Sequence, residues 1–568
     1  MNFKAKLTVF AMAIGIFLCM LDTTVMNIAL PAIQTGLNVN LEQLSWALNV
    51  YTITFAVFTI PLGRLADILG RNKVYISGLL IFITGSALSG FANDAANLII
   101  GRCVQSLGAA IIFPASMTIG ISTTDLSHRT GVVATLGVTQ GLAAALGPTV
   151  GGIVTQYLGW RWVFFINIPL IILALILCAT LLTFKHEPHS NTQIDFPGML
   201  LSMILLFSLT LALIKGSAWG WSSTAIIGLL GTSLLALILF LLVEQHVKAP
   251  MVPLELFQNR QFTGAVLAVV LSGIFLVAVL VILPTFFTKV QGKSELTAAL
   301  MITPASVMIF IFSPISGFII NKIGPQIMVA SGFIFMILGY LVLAMMDPNQ
   351  YWQIFVACLL IGAGYGIIAG PIVVLGAANF TGALLTASQS VLGLFRQIGS
   401  VLAVAIFVSA LTTNLNTAKT TSIRAATTQI STLTISKAAK TKMTRQATQQ
   451  IEANNAQQKQ PKRHYISSSQ QKQLIQKNYQ IALNRLNQQT ISAVAQQAIY
   501  AKVAKKVKQQ VKQDNDSMAQ TARTIQVTTK QQVTQAFIRP YQHALPFIIF
   551  AGLSSLLFYR RKEYLDQN

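Results

Sequence analysis

Charged residues are scarce in this chain: only 10% of its 568 residues are Asp, Glu, Lys or Arg, whereas 54% are hydrophobic. Apolar runs of about 20 residues recur from the N-terminus to residue 411, and each is long enough to cross a hydrocarbon core of roughly 30 Å. So little charge and such long apolar runs exclude an ordinary soluble domain. The sequence therefore predicts an all-α membrane protein that crosses the bilayer many times.

Cysteine is equally rare, and the motifs of common enzymes are missing. The four cysteines all lie in apolar runs and none forms a C-x-x-C pair, which indicates small core residues and neither disulfides nor metal ligands; they are Cys19, Cys103, Cys178 and Cys358. Gly292-Lys293-Ser294 looks like the end of a phosphate-binding loop, but Phe287 stands where that loop needs a glycine. We therefore expect a protein that is not an enzyme and that binds no metal or cofactor.

Fourteen spans are predicted, and they lie at about 7–30, 45–65, 74–92, 97–121, 131–155, 162–184, 196–214, 224–243, 262–287, 296–319, 326–346, 352–376, 386–411 and 544–559. The first run is too long for a signal peptide and lacks a small-residue cleavage site, so it is predicted to be an uncleaved span. In the short loops, thirteen Lys and Arg fall on one side and only Arg161, Lys215, Lys289 and Lys293 on the other. This asymmetry predicts that both termini are cytoplasmic.

An internal repeat organises these spans. Gly63–Lys73 follows span 2, and a similar string, Gly317–Gly324, follows span 10 with an offset of 254 residues. Spans 1–6 and 9–14 are therefore predicted to form two related halves, a plan known from transporters. The predicted divisions are a six-span bundle at 1–184, two inserted spans at 185–261, the first five spans of the second bundle at 262–411, an extracytoplasmic basic loop at 412–543, and the last span with a cytoplasmic tail at 544–568.

Five motifs in this framework resemble one family. They are the Leu21–Pro31 string around Asp22, Gly63–Lys73, Leu98–Gly108 in span 4, Gly141–Gly152 in span 5, and Trp160–Pro169. Together they are similar to the 14-span drug:proton antiporters of the major facilitator superfamily, the EmrB/QacA-like group. The resemblance implies a multidrug efflux protein of the bacterial cytoplasmic membrane that confers antibiotic resistance, works by a rocker switch and is driven by the proton gradient.

Asp22 is the only acidic side chain that lies clearly inside a predicted span. It lies about 22 Å into span 1, or about 8 Å below the outer face, and Arg102 in span 4 lies at a similar depth. A guanidinium favours the ionised form of a carboxylate, whereas burial favours the neutral form, so a site that switches between these settings could load and release a proton. The alternative is a static ion pair that holds spans 1 and 4 together.

Two glycine-containing motifs are predicted to control conformation. The resemblance implies that the loop after span 2 latches the outward-open state, through Gly63, Asp67, Gly70, Arg71 and Lys73; the alternative is a loop that only sets topology. Asn321 replaces the acid in the second half, where a latch should be weaker or absent. In span 5 a kinked, small-residue face could seal a leak path, and the alternative is ordinary helix packing. Its residues are Gly141, Gly147, Pro148, Gly151 and Gly152.

A substrate cavity is predicted from aromatic, Met and polar side chains within the spans, namely Asn27, Trp46, Tyr51, Gln105, Phe113, Met117, Gln389 and Arg396. Arg396 has no acidic partner in spans 9–14, so it is expected to cap carbonyls or to pair with Gln389. Because spans 7–14 hold no midplane acid, the expected partners are protons, membrane lipid and small lipophilic substrates, such as a monocation, a zwitterion or a neutral amphiphile. The protein is expected to be monomeric.

Residues 413–540 carry 20 basic and 3 acidic side chains, and so hold +17 of the net charge of +23. They contain no glycine, and their apolar residues recur at helical spacing. Two or three amphipathic helices are predicted, in a hairpin with breaks near Pro461 and near 514–517; the alternative is a disordered basic spacer. The charge predicts an anionic cell-envelope polymer as a partner, and no nucleic acid. Two alternative functions stay open: an envelope-binding protein that is anchored by its spans, and an exporter of one endogenous lipid or peptide.

Overall fold

The computed structural model describes residues 2–39, 41–124, 126–185, 187, 194–347, 350–378, 380–452, 466–485 and 492–566. Within these ranges the regular elements are helical. They are α1 (Phe3–Leu37), α2 (Leu41–Leu69), α3 (Arg71–Gly90), α4 (Ala95–Ser122), α5 (Leu126–Tyr157), α6 (Trp162–Phe165), α7 (Asn167–Leu181), α8 (Phe196–Trp219), α9 (Thr224–His246), a 3₁₀ helix (Leu254–Gln258), α10 (Arg260–Lys289), α11 (Glu295–Ile323), α12 (Pro325–Met345), α13 (Tyr351–Ala378), α14 (Gly382–Ser431), α15 (Lys437–Glu452), α16 (Ser468–Asn484), α17 (Ala493–Gly552), a second 3₁₀ helix (Leu553–Leu557) and α18 (Arg561–Asp566).

Twelve helices of the described residues are long and apolar enough to cross a membrane. They correspond to predicted spans 1–4 and 6–13, which confirms a polytopic helical membrane protein. Predicted span 5 falls on α5, and predicted span 14 falls on the end of α17 and the 3₁₀ helix that follows it. Helices are the expected solution, because inside lipid each backbone N–H and C=O must find its partner within the segment.

Side-chain caps and glycines mark where several helices begin and end. The Asn2 carboxamide oxygen accepts a 2.8 Å bond from the Ala5 amide at the start of α1, and Asp94 caps α4 in the same way. Gly70 and Gly324 separate α2 from α3 and α11 from α12, with φ of 103° and 92°. Only glycine adopts such backbone angles at little cost, and the two positions are equivalent in the repeat.

The chain forms two compact units, and the larger one comprises residues 1–285, 293–410 and 540–568. In its first repeat α3 packs on α4, α1 on α5 and α2 on α4, while in the second repeat α11 and α12 pack on α13. The inserted helices α8 and α9 pack on each other, and α8 also packs on α2. Glycines allow close approach: a Cβ on Gly108 would lie 2.5 Å from the Phe82 nitrogen. Small residues serve the same purpose in other membrane helix pairs.

The smaller unit comprises residues 286–292 and 411–539 and has an apolar core of its own. That core consists of Ala426, Ile430, Met443, Ile451, Met518 and Ile525. Helices α16 and α17 contact each other through the edge-to-face rings of Tyr479 and Tyr500, whose centroids are 5.3 Å apart. The structure is thus helical where helical spacing was predicted, on α16 and α17.

The predicted break near 514–517 is wrong, since α17 runs through these residues without interruption. Tertiary contacts offset the weak helix propensity of Asp and Asn. The Asn515 Oδ1 accepts a 2.8 Å bond from the Ile466 amide, and Asp514 accepts one of 2.9 Å from Gln510 a turn earlier. The other predicted break, near Pro461, lies outside the described residues.

Candidate functional site

The structure joins Asp22 of α1 to Arg102 of α4. The Arg102 Nη1 pairs with the Asp22 Oδ2, and the two residues, Arg102 and Asp22, are only 1% and 3% exposed. Each charge alone would be very costly in such surroundings, and pairing offsets much of that cost. The apolar side chains of Leu21, Val25 and Leu98 belong to the core cluster around this pair. The two residues that the sequence placed at similar depth are therefore in direct contact.

Gln105 completes the ion pair as a third member. Its Oε1 accepts a 2.8 Å bond from the Arg102 Nη1, and its Nε2 donates to the Asp22 Oδ1 at 2.9 Å and to the Ser86 hydroxyl at 2.8 Å. Both oxygens of the carboxylate are thus occupied. Gln105 was predicted to line a cavity, but it is fully buried in this network. Its position three residues after Arg102 places both side chains on one face of α4, and this spacing was the available signal.

Tyr51 covers the other side of the guanidinium. The Arg102 Cζ lies 4.2 Å from the centre of the Tyr51 ring, and the Arg102 Nε donates to the Ala47 carbonyl at 3.3 Å. Tyr51 is 1% exposed and also anchored, because its hydroxyl donates to the Cys19 carbonyl at 3.5 Å. A cation over an aromatic face is stabilised most when water is excluded. Tyr51, predicted as a cavity residue, is here a partner of Arg102.

The predicted latch contacts the second repeat. The Asp67 Oδ1 accepts bonds from the Arg71 guanidinium at 2.8 Å and from the Thr386 hydroxyl at 2.9 Å. The Arg71 Nη2 donates to the Gly382 carbonyl at 2.9 Å. Gly63 allows the approach, because a Cβ there would lie 2.6 Å from the Ser390 Oγ. The partners on α14 could not be found from the sequence, since they lie more than 300 residues away.

The other two latch residues are Gly70 and Lys73. A Cβ on Gly70 would lie 2.5 Å from the Glu187 Oε2, and the Glu187 Oε1 accepts a bond from the Asn72 amide. Lys73 is exposed. The carboxylate of Glu187 therefore lies at the first turn of α3, where the helix dipole favours a negative charge. Sequence reasoning did not single out Glu187.

At the equivalent glycine of the second repeat, the neighbouring residue is basic instead of acidic. A Cβ on Gly324 would lie 2.9 Å from the Arg561 Cβ, so the segment after the last predicted span packs there. In both repeats the glycine thus contacts the chain that leaves the last span of its own half. Asn321, which stands where Asp67 stands, is exposed.

The span 5 motif lies between α1 and α11. Gly147 and Gly151 contact Thr24 and Val25 of α1, whereas a Cβ on Gly141 would lie 3.1 Å from Ile309 of α11 and one on Gly152 would lie 2.9 Å from Leu296. The motif therefore joins helices within the first repeat and also helices of different repeats. The side chains of Pro148 and Asn27 lie outside the described residues, so the kink at Pro148 and the cavity role of Asn27 stay predictions.

Arg396 has a partner that differs from the predicted one. Its Nη1 donates to the Oε1 of Gln140 on α5, while Gln389 donates to the Gly376 carbonyl at 3.2 Å. The predicted pairing of Arg396 with Gln389 is wrong, because Gln389 turns towards α13 and Arg396 towards the first repeat. The Gln140 Nε2 in turn lies 3.6 Å from the Met117 sulfur.

Phe113, a predicted cavity residue on α4, contacts the second repeat. A Cβ on Gly393 would lie 2.8 Å from its ring. Helices α4, α5 and α14 therefore meet at Phe113, Met117 and Arg396, three of the predicted cavity residues.

Trp46 contacts a buried lysine. The Lys215 Nζ lies 4.2 Å from the Trp46 ring centre and 6.0 Å from that of Trp219, and Lys215 is only 4% exposed. The predicted position of Lys215 in an external loop is wrong, since α8 continues to Trp219 and encloses it. The long apolar stem of a lysine can be buried in this way when its ammonium group meets an aromatic face.

Comparison with known proteins places this architecture in a family. The Major Facilitator Superfamily matches residues 12–404. The multidrug transporter protein MdtP of Bacillus subtilis is 31% identical over 398 residues, which cover 70% of this chain and 73% of that protein. The methylenomycin A resistance protein of the same organism is 31% identical over 70% of this chain and 85% of its own length. The multidrug resistance protein Stp of Mycobacterium tuberculosis H37Rv is 29% identical over 72% and 76%. The chain belongs to the Major Facilitator Superfamily, and the three relatives named here are multidrug or antibiotic resistance proteins.

Proposed function

We propose that the protein is a proton-coupled exporter of lipophilic or amphiphilic small molecules in the bacterial cytoplasmic membrane. It works as a monomer with fourteen spans and with both termini in the cytoplasm, and it uses the proton gradient without a further cofactor. The observation that carries the proposal is the buried network of Asp22, Arg102 and Gln105. The family supports drug export in general, and the network supports the coupling to protons.

Protonation of Asp22 removes the negative member of the network. The Arg102 guanidinium then keeps the Gln105 Oε1, the Ala47 carbonyl and the Tyr51 ring as partners. These neutral groups can hold the cation while the carboxyl is neutral, so the loaded state does not leave the guanidinium unsolvated. A static ion pair would also use such partners for the remaining N–H groups of the guanidinium. They are nevertheless the groups that would allow the site to adopt two protonation states.

Alternation between outward-facing and inward-facing states uses two contacts between the repeats. One is the latch, in which Asp67 and Arg71 at the junction of α2 and α3 meet Thr386 and Gly382 of α14. The other joins α5 to α11, where the hydroxyls of Thr149 and Thr303 are 3.1 Å apart. In the proposed orientation the latch is at the cytoplasmic end, so the structure is closed on that side. An inward-facing state requires the latch bonds to break.

The substrate site lies where α4, α5 and α14 meet. Phe113 and Met117 offer apolar and polarisable surface, and the amide of Gln140 separates them from the Arg396 guanidinium. Such surroundings suit a neutral amphiphile, a zwitterion or a lipophilic monocation, because they lack the paired acids that two fixed cations would need. An exporter of one endogenous lipid or peptide would use the same surfaces.

The basic unit at 411–539 is proposed to bind an anionic polymer of the cell envelope. On α16 and α17 the ammonium groups are exposed, whereas Ile475 and Val511 face inward. The exposed lysines are Lys472, Lys477, Lys502, Lys505, Lys506, Lys508, Lys512 and Lys530. Retention of the full-length protein on a polyphosphate column should fall steeply as salt rises, because counterions screen exposed charges. Retention that does not depend on salt would contradict this role.

Transport itself is best tested in proteoliposomes that contain the full-length protein and a panel of lipophilic dyes. A pH gradient, acidic on the outer side of the protein, should drive dye to that side, and added dye should release protons. Dye movement whose rate and direction do not depend on the pH gradient would contradict proton coupling. If no dye in the panel or added lipophilic peptide moves, the alternative of an envelope-binding protein anchored by its spans is favoured.

A further inference from the structure

A groove of about 650 Å³ lies between α1, α5 and α7, away from the contacts between the repeats. Its lining residues are Lys6, Val9, Phe10, Ala13, Ile14, Phe17, His128, Gly131, Val132, Thr135, Thr139, Leu142 and Leu170. All of them belong to the first repeat, and neither Asp22 nor Arg102 is among them. The groove is therefore distinct from the proposed coupling site and from the meeting point of α4, α5 and α14.

The groove has a basic end and an apolar length. Lys6 and His128 are exposed at one end, and on α1 the lining continues through apolar side chains to Phe17. From Lys6 to Phe17 the helix rises about 16 Å, which is roughly half of a 30 Å hydrocarbon core. Its length thus matches one leaflet of the bilayer, and its basic end lies at the level of the lipid head groups.

The groove is also open. Phe10 on α1 is 54% exposed, and Thr135 on α5 is exposed as well. Gly131 leaves a gap in the wall, because a Cβ at this position would meet no atom within 4 Å. An open apolar groove within a bilayer does not hold water, and the molecules that surround it are lipids.

We propose that this groove binds one anionic phospholipid of the cytoplasmic leaflet. Its phosphate accepts hydrogen bonds from the Lys6 ammonium and the His128 imidazole, and one acyl chain lies along the apolar wall from Val9 to Phe17. Basic side chains between membrane helices on the cytoplasmic side recognise anionic head groups in this way. The leaflet follows from the orientation under the proposed function, whereas the choice of an anionic lipid follows from the charge of the groove.

Filling the groove tests the acyl-chain part. Gly131→Leu places a side chain in the gap, where its Cβ meets no atom within 4 Å, and replaces a poor helix former with a good one. Gly231→Leu is the matched control, because a Cβ on Gly231 of α9 would also meet no atom within 4 Å and this residue does not line the groove. Native mass spectrometry of the full-length protein, titrated with phosphatidylglycerol or phosphatidylcholine, counts the retained lipids. Gly131→Leu should lose one tightly held phosphatidylglycerol, and Gly231→Leu should keep it.

Changing the basic end tests the head-group part. Lys6→Gln should weaken phosphatidylglycerol binding roughly fivefold, since one basic side chain at the surface is worth about 1 kcal/mol. Phosphatidylcholine binding should weaken less, because the choline ammonium already offsets the charge of its phosphate. Lys4→Gln is the control, because Lys4 is exposed on the same helix but does not line the groove.

Two results would overturn the proposal: an unchanged number of retained lipids in Gly131→Leu, or equal weakening of both lipids by Lys6→Gln. The titrations involve no proton gradient, so their outcome does not depend on whether the protein transports protons. Loss of dye efflux in Gly131→Leu with unchanged lipid retention would also overturn it, because the groove would then serve the substrate.

Discussion

The Thr386 hydroxyl donates a 2.9 Å hydrogen bond to the Asp67 carboxylate, which lies 319 residues earlier in the chain. Asp67 is only 4% exposed and uses the same oxygen to bind Arg71. A buried acid of the first repeat is thus satisfied by a residue of the second. The bond exists only while the end of α2 lies against α14, which makes it a marker of the latched state.

Thr386→Val should favour the open latch. A hydrogen bond to a charged group contributes about 1.5–3 kcal/mol, so its loss should raise the open population roughly tenfold or more. In a variant without native cysteines, Ser390→Cys reports opening, because Ser390 is 4% exposed and packs on Gly63. We expect faster labelling of this thiol from the cytoplasmic side. Thr180→Val is the control, since Thr180 bonds only within α7, and equal labelling rates in both variants would show that Thr386 does not hold the latch.

Asp22→Asn should abolish proton-coupled efflux while expression is maintained, because the amide keeps the size of the side chain but cannot titrate. The measurement is dye accumulation in inside-out vesicles under an imposed pH gradient. Asp94→Asn is the matched control, because Asp94 is an exposed cap of α4 and asparagine caps helices equally well. If Asp22→Asn vesicles still accumulate dye against its gradient, Asp22 is not the essential proton carrier.

Arg102→Gln should change the pH profile of transport or abolish transport. The variant replaces the cation that pairs with the Asp22 carboxylate by a neutral amide and leaves that carboxylate without a charged partner. Arg161→Gln serves for comparison, since Arg161 binds the Ala92 carbonyl and stacks on Trp160 instead of pairing with an acid. An Arg102→Gln variant that is well folded and has an unchanged pH profile would disprove the pairing as the basis of coupling.

Trp46→Leu should destabilise the contact between α2 and α8. The buried Lys215 would lose an aromatic face at 4.2 Å, an interaction worth about 2 kcal/mol when water is excluded. The measurement is the midpoint of thermal unfolding in detergent. Trp219→Leu should lower it less, because Trp219 is 6.0 Å from the same ammonium and 44% exposed. A lower affinity for dye with unchanged stability would instead place Trp46 in the substrate site.

Replacement of residues 415–538 by a short Gly/Ser linker should preserve insertion and proton coupling. The removed segment has its own apolar core around Ile430 and Met518, and neither Asp22 nor the latch contributes to that core. The rate or breadth of transport should change, and the electrostatic part of this change should weaken as salt rises. The measurement is substrate-driven proton release from proteoliposomes that contain either the full-length protein or the linker variant, across a salt series. Complete loss of transport in a correctly inserted linker variant would place the segment in the transport machinery.

The sequence predicted the membrane helices well because their signal is local. A run of about 20 apolar residues must be helical in lipid, so twelve spans could be read directly. The pairing of Asp22 with Arg102 was also accessible, since a lone acid and a lone base at one depth have few other partners. The helical character of 468–484 and 493–511 followed from the periodicity of Ile475, Tyr479, Val503 and Val507.

Predictions failed where several helices offered possible partners for one polar or charged side chain. Arg396 was expected to cap carbonyls or to pair with Gln389 on its own helix, yet it binds Gln140 on α5. Lys215 was placed in a loop because charges usually end spans, yet Trp46 and Trp219 enclose it. The break at 514–517 followed from local propensity, which the contact between Asn515 and Ile466 outweighs.

By itself, the sequence determined the class of the protein and most of its spans, and it singled out the repeated glycine motif after spans 2 and 10 and Asp22 as an acid within a predicted span, because each depends on composition and spacing along the chain. Only the tertiary structure decided which groups satisfy that acid, where the latch closes and which helices hold Lys215. These choices depend on distances between residues far apart in sequence, where a buried polar group is stable only if a partner of suitable geometry is present. The spacing that places Asp67 on α2 therefore does not predict that the Thr386 hydroxyl donates a hydrogen bond to the Asp67 carboxylate.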